Sequence, residues 1–335
     1  MRKAKSNCKT GRYDRMDGSL TDSGKRTDML LSVSQKTPSC TIAHQVQKGL
    51  NCSRIHSMPT ASDRSRLLSI VQSRQNARVK ELRAGFTHVP RPGREEGAIS
   101  IEGEHLVQEA LRSGIQFHAV FVRSGNQAAL KRLSLPEEIS VIELTPEVFA
   151  SAVQTETPQG IAALIEPPRF ALQDVLKGAQ PLVVVVAALQ DPGNLGTLVR
   201  SAEAFGATGV VVLPGTVSVW NPKALRASSG SAFRLPVVFS SLDDLTAMLR
   251  ENKVVLYAST AESGVACCDA DLTTASAILI GNEGGGLPAE ILRMADERIT
   301  IPTPGPVESL NAGVAAGILL YEAARQRAQR RSENR

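Results

Sequence analysis

At 335 residues, with 42% hydrophobic and 21% charged side chains, the chain has the length of two domains and an ordinary globular composition. The longest apolar run, Leu182–Leu189, has eight residues, against the roughly 18 that a membrane helix needs, so no membrane partner is expected. Aromatic residues are only 4%, which argues against base-stacking platforms, and the net charge of +5 is uneven: residues 1–60 carry 11 Lys and Arg against 4 Asp and Glu.

Residues 1–62 are polar, basic and without hydrophobic periodicity, and are expected to form a disordered basic extension. Such an arm suits phosphates, or nothing specific; charge alone does not select RNA. The first 30 residues lack the apolar stretch of a secretory signal, and Asp14, Asp17, Asp22 and Asp28 interrupt the pattern of a transit peptide, so a cytoplasmic location is expected.

Order is expected from Asp63. Leu67, Leu68, Val71, Val79 and Leu82 form one face of a helix over 63–82, and Gly85–Gly97, with Pro90 and Pro92, reads as a loop. Strands are predicted at 98–102, 117–122, 140–144 and 161–165. Helices are predicted at 104–113, 127–133 and 146–153, the last opened by Thr145. Glu166-Pro167-Pro168-Arg169 then breaks the chain, so residues 63–166 form a smaller α/β domain and 172–330 a second one.

The second half opens on Leu182–Leu189, whose near-continuous Val, Leu and Ala is the pattern of a parallel strand buried on both faces. Helices are predicted at 195–205, 222–229, 242–251 (capped by Ser241), 288–294 and 309–327. Strands are predicted at 209–213, 235–239, 253–258, 275–280 and 298–301. Repeated β-α-β order implies a parallel sheet with helices on both sides, whose ligands bind beyond the carboxyl ends of the strands.

Three such ends carry unusual sequence. Asp191-Pro192-Gly193-Asn194-Leu195-Gly196 leads to Arg200; Asn194 is placed to cap the helix, Gly193 and Gly196 permit close approach of a ligand or a neighbouring element, and Arg200 offers a planar fork for phosphate. Gly281-Asn282-Glu283-Gly284-Gly285-Gly286-Leu287-Pro288 is a glycine-rich loop without the Gly-Lys-Ser/Thr ending of a P-loop or the G-x-G-x-x-G spacing of a dinucleotide site. Its Glu283 argues against pyrophosphate and less against a sulfonium. Ile301-Pro302-Thr303-Pro304-Gly305-Pro306 is stiff, and Ser309, read as the cap of the last helix, stands with Leu310 and Asn311 at its start. The cysteines follow no metal-binding or disulfide spacing: Cys8, Cys40 and Cys52 lie in the polar region and Cys267 and Cys268 are adjacent, so free thiols and no metal are expected.

Taken together, these segments resemble the SpoU (TrmH-like) family of RNA ribose 2′-O-methyltransferases in the SPOUT superfamily. Asn194, Gly196, Arg200 and Ala202 match its first motif. Gly281, Glu283, Gly286 and Leu287 match its second, and Ile301, Pro302, Gly305, Ser309, Leu310 and Asn311 its third. The resemblance is strong over 182–325 and weaker over 65–165, where Ile101-Glu102-Gly103 looks like the family's L30-like RNA-binding domain. It implies an α/β fold: a C-terminal parallel-sheet domain with a trefoil knot, preceded by a smaller L30-like α/β domain. It implies S-adenosylmethionine as cofactor, held by Ile280, Gly281, Asn282, Gly286, Ile301, Pro302, Gly305, Ser309 and Leu310. Arg200, Asn194, Glu283, Ser309 and Asn311 become the catalytic set, RNA the partner, and a homodimer, with the last helix as interface, the assembly. One departure is Gly313, where many members have serine.

An arginine is very hard to deprotonate, so Arg200 is read as a clamp on phosphate and a stabiliser of the developing oxyanion. The two-domain layout favours 23S ribosomal RNA as the substrate, with tRNA as the alternative. A dehydrogenase reading fails on the missing G-x-G-x-x-G, while a non-catalytic RNA-binding protein with a degenerate methyltransferase domain would bind no S-adenosylmethionine.

Overall fold

The fold rests on two sheets. The structure, a computed structural model, describes residues 70–87, 97–261, 263–282 and 284–333, all within one unit spanning Ser62–Arg335. The basic N-terminal extension expected from the sequence lies outside the described residues.

The first sheet is mixed, in the order β1-β4-β2-β3, built from β1 (Ile99–Glu102), β2 (Phe117–Arg123), β3 (Val141–Leu144) and β4 (Ile161–Ile165). β4 pairs antiparallel with β1 and β2, and β2 pairs parallel with β3. Side chains alternate across it. Ala162 and Leu164 join Ala119 and Phe121 under α1 (Ala77–Thr87) and α4 (Pro146–Ala152). Ile161, Ala163 and Ile165 face the opposite way, with Val107, Ala110 and Ala129 of α2 (Glu104–Arg112) and α3 (Gln127–Leu133).

The second sheet has seven strands in the order β7-β6-β5-β10-β8-β11-β9, every pair parallel. They are β5 (Leu182–Val186), β6 (Gly209–Val212), β7 (Val237–Phe239), β8 (Val255–Ser259), β9 (Val265–Ala266), β10 (Ser276–Ile280) and β11 (Glu297–Thr300). In β5, Val184 and Val186 face a layer that holds α5 (Pro192–Ala204), α6 (Pro222–Ser228) and α9 (Ala312–Glu333); Val183 and Val185 face α7 (Leu242–Glu251) and the partly buried Ile291 and Leu292 of α8 (Ala289–Leu292). The chain winds outward from β5 through β6 to β7, then crosses back so that β10 sits beside β5. That reversal is the switch point at which open parallel sheets bind ligands. One apolar cluster runs unbroken from Ile99 and Val120 of the first sheet to Val184 and Ile278 of the second. Arg234 fastens the two at the surface, donating to Glu109 of α2 at 2.7 Å and to Glu203 of α5 at 2.7 Å. Among the described residues no helix is long and apolar enough to cross a membrane.

Several boundaries differ from the sequence reading. The first described helix is Ala77–Thr87, not 63–82, and it takes in Gly85, which the sequence places in a loop. A Cβ on Gly85 would lie 2.3 Å from Ser100 Oγ, so the glycine lets this helix press onto β1. β5 stops at Val186, before Ala188 turns to φ +57°. The two-residue β9 has too little pattern to read from sequence, and α8 is a single turn. α5 starts three residues early and α9 starts at Ala312; both shifts bear on the site below.

The base of the second sheet is tied to α9 by Arg327, whose guanidinium donates to the carbonyls of Leu272, Gln180, Pro181 and Thr274 at 2.6–3.2 Å. Burial lowers the pKa of this group. Arg327→Met keeps the aliphatic stem but removes all four hydrogen bonds; Pro181 O and Thr274 O keep Ser276 N and Ser276 Oγ as donors, while the Gln180 and Leu272 carbonyls lose the donor that Arg327 supplies. The substitution is expected to cost about 2–3 kcal/mol in chemical denaturation, whereas an unchanged midpoint would mean that water replaces the fork at no cost.

Candidate active site

β5 and β10 end side by side, with Val186 opposite Ile280, so the first two motif loops leave the sheet together. The Asn282 side chain joins them, its Nδ2 donating to Ala188 O at 3.0 Å.

In the first loop, Asp191 rather than Asn194 caps α5: its carboxylate accepts from Asn194 N at 2.9 Å, and Pro192 takes the first helical turn. Proline needs no amide partner there, which is why the helix begins earlier than the run of apolar residues suggests. Lys223 of α6 lies 2.7 Å from the same carboxylate and, with the Asn194 amide, holds its pKa below the usual range. Asn194 is thereby freed from capping, and its Oδ1 accepts from Asn311 Nδ2 at 3.0 Å, which links the first motif to the third. Gly196 resolves the choice between ligand and neighbour in favour of the neighbour. A Cβ on it would lie 2.2 Å from Ala224 O and 2.6 Å from Ala227 Cβ, so it exists for the α5–α6 contact. Arg200, further along α5, is exposed, and its side chain makes no hydrogen bond or ion pair among the described residues.

The second loop is a tight reversal. Asn282 and Gly286 exchange backbone hydrogen bonds, Gly286 adopts φ +62°, and Gly281 packs so closely that a Cβ would lie 2.7 Å from the Gly286 carbonyl. Glu283, at the tip, lies outside the described residues.

The third loop is exposed from Pro302 to Ser309. Ser309 does not cap α9; Asn311 does, its Oδ1 accepting from Gly313 N at 3.0 Å and Val314 N at 3.3 Å. Asparagine is among the best N-caps, and the later start follows from it. Gly313 is buried against α5: a Cβ there would lie 3.4 Å from Thr197 Cγ2 and 3.5 Å from Asn194 O. Gly313, the position at which the resemblance leads one to expect serine, sits at a helix–helix contact and does not line the cleft.

The cleft beneath the second and third loops measures about 510 Å3, within the usual range for small-molecule sites. Ile280, Gly281, Asn282, Gly286, Ile301, Ser309 and Leu310 line it; Pro302 and Gly305 do not. Asn194, Asn311 and Arg200 are not part of its wall either, though Asn311, bonded to Asn194, stands between the lining residues Leu310 and Ala312. Ser259, Thr260 and Ala261 also line it, and nothing in the sequence pattern points to them. Their position follows from strand order, β8 being the neighbour of β10, and no local motif marks them.

S-adenosylmethionine fits this donor set. Backbone groups of glycine-rich loops offer hydrogen bonds to an adenine, Ile280, Ile301 and Leu319 give apolar walls, and the charged side chain among the described lining residues is Glu308, an anion facing a cationic ligand. The Thr260 hydroxyl is buried without a partner, as a polar atom is when its partner is a ligand. Among the described residues no group of three or more His, Cys, Asp or Glu side chains could hold a metal ion.

Residues 181–321 match the SpoU rRNA Methylase family, and residues 76–163 match the MRM3-like substrate binding domain. The 23S rRNA (guanosine(2553)-2′-O)-methyltransferase RlmP of Bacillus subtilis is 34% identical over 251 residues, which cover 75% of this chain and 97% of that one. The SpoU methyltransferase AviRb of Streptomyces viridochromogenes, solved in complex with AdoMet, superposes with a TM-score of 0.67 at 28% identity, over 76% of this chain and 100% of that one. An AdoMet-bound rRNA methyltransferase from Sinorhizobium meliloti gives the same TM-score of 0.67 at 28% identity, over 77% and 97%.

Proposed function

Because the chain belongs to the SpoU rRNA methylase family and is an RNA methyltransferase that uses S-adenosylmethionine, we propose that it methylates a ribose 2′-hydroxyl in 23S ribosomal RNA. The observation that carries this reading is the meeting of the three motif loops at the β5–β10 switch point, with Asn194 of the first motif bonded to Asn311 of the third. The similarity to RlmP, whose name gives that substrate, favours 23S RNA over tRNA. A ribosomal RNA substrate implies that the reaction takes place in the cytoplasm.

Bound S-adenosylmethionine supplies an electrophilic methyl group; the protein supplies orientation and electrostatics. Ile280, Gly281, Asn282, Gly286, Ile301, Ser309 and Leu310 hold the cofactor, with Pro302 and Gly305 stiffening and shaping the third loop. Asn194, Ser309 and Asn311 position the ribose, Glu283 completes the catalytic set, and Arg200 grips the adjacent phosphate and stabilises the oxyanion that develops as the hydroxyl gives its proton to solvent. The Thr260 hydroxyl contacts the cofactor. Thr260→Val is expected to weaken S-adenosylmethionine by roughly 2- to 10-fold in calorimetry, the worth of one hydrogen bond; unchanged affinity would remove Thr260 from the site.

Residues 63–166 serve as the L30-like RNA-binding domain and 172–330 as the catalytic domain. The placing of β10 between β5 and β8, with α9 returned against α5, supports a trefoil knot in the latter. A homodimer through α9 completes the reading. Val314, Ile318 and Tyr321 form an exposed apolar stripe along it, at 36–55% exposure, and Tyr321 stacks edge-on to Phe205 at the end of α5. The exposed face of α5 that carries Thr197 and Arg200 borders this stripe, so a dimer through α9 would place Arg200 near the interface.

Incubation with methyl-labelled S-adenosylmethionine tests the activity. Label is expected in 23S RNA transcripts and in alkali-resistant dinucleotides, the mark of a 2′-O-methyl. Label in free bases, or in tRNA alone, would overturn the proposal.

A further inference from the structure

The carboxyl edge of the second sheet holds another cleft, of about 1440 Å3, on the far side of the first motif loop. It lies beyond β6 and β7, between the segment at Phe170–Gln173 and α7. The first motif loop is linked to both clefts: Ala188 O is held by Asn282, which lines the first cleft, Gln190 lines the second, and Asp191 caps α5.

Its lining has a definite chemistry. Among the described residues it contains no lysine or arginine, so nothing described in it neutralises a phosphate backbone, and its charged side chains are Asp244 and Glu251. It does contain four carboxamides, Gln173, Gln190, Asn221 and Asn252. Three of these have one end anchored to backbone: Gln190 Nε2 donates to Gly215 O, Asn252 Nδ2 to Met248 O at 2.8 Å, and Asn221 Oδ1 accepts from Lys223 N at 2.9 Å. The opposite ends, Gln190 Oε1, Asn252 Oδ1 and Asn221 Nδ2, are thus held in place with hydrogen-bonding capacity to spare. Phe170 and Phe239 give half-buried apolar surface beside them. Glu251 adds an acceptor, while Asp244 is engaged by the Ser241 hydroxyl at 2.6 Å.

Fixed amide donors and acceptors, flat apolar surface and no cation match an uncharged planar group with polar edges. We propose that this cleft takes an unpaired nucleobase of the RNA substrate, one bearing an exocyclic amine that Glu251 accepts, from a nucleotide close to the methylated ribose. The inference rests on the RNA methyltransferase reading of the neighbouring site. It assigns sequence selection to the catalytic domain itself, separate from phosphate contacts made by Arg200.

The test is photo-crosslinking of the full chain to 23S RNA transcribed with 6-thioguanosine, with crosslinked peptides located by mass spectrometry. Crosslinks are expected in the segments 170–173 and 239–252. They should fall at least about fivefold in the double variant Gln173→Ala/Asn252→Ala, which loses two hydrogen bonds, while S-adenosylmethionine affinity in calorimetry stays unchanged. Crosslinks confined to α5, α6 and the first sheet would overturn this inference and leave the methyltransferase reading standing. No crosslink anywhere on the chain would overturn both.

Discussion

Arg200→Ala is expected to retain S-adenosylmethionine affinity and thermal stability while losing methyl transfer by at least about 100-fold, the usual effect of deleting one preorganised oxyanion donor. The structural grounds are specific. Arg200 is exposed, its side chain has no hydrogen-bond or ion-pair partner among the described residues, and it is absent from the wall of the cleft proposed for the cofactor. Neither the fold nor the cofactor therefore depends on it, and a loss confined to turnover isolates its role toward RNA. Arg200→Lys separates charge from shape: a point charge without the planar fork should recover only a small part of the rate. Calorimetry and single-turnover methylation give the two readouts. Turnover near wild type in Arg200→Ala would remove the residue from the mechanism, and lost cofactor binding would show that it acts through the fold.

The second large effect is on stability. Gly196→Ala adds one methyl group at a point where it would meet a backbone oxygen at 2.2 Å and another Cβ at 2.6 Å. Neither neighbour is the free end of a flexible side chain, so α5 and α6 must separate. Overpacking of this kind costs about 3 kcal/mol, which corresponds to a fall in melting temperature of roughly 6–12 °C for a domain of this size. Gly305→Ala is the internal control: it lies in the third motif, has nothing within 4 Å of its would-be Cβ, and is expected to melt like wild type. Equal melting of all three proteins would mean that Gly196 is not a packing residue, and would return it to a role in ligand approach.

Sequence and structure agree best where a local signal is complete. α7 spans Leu242–Glu251 in both, because Ser241 accepts from Asp244 N at 3.1 Å and the apolar spacing is regular. The all-valine core of β5 marks a central strand for the same reason. Boundaries shift where two nearby side chains can each cap the same helix. Asp191 displaces Asn194 as cap of α5, and Asn311 displaces Ser309 as cap of α9. In both cases the competing residues are of good capping type and close in sequence, and nothing local says which one turns toward the helix. The second and third motifs mark much of the cleft proposed for the cofactor, since Gly281, Gly286 and Leu310 line it together. Thr260 is invisible by contrast, because it enters only through the adjacency of β8 and β10, a property of strand order. Gly313 shows the reverse case. It stands out as a departure from the resemblance, yet the structure places it in the α5–α9 contact, where an added Cβ would make ordinary contacts with Thr197 at 3.4 Å and Asn194 O at 3.5 Å.

The most direct measurement is a map of 2′-O-methyl groups in ribosomal RNA from cells with the gene, without it, and without it but complemented by Arg200→Ala. One ribose methyl in 23S RNA is expected to vanish on deletion, to return with the wild-type gene, and to stay absent with the variant. An unchanged 23S map, or restoration by Arg200→Ala, would contradict the account.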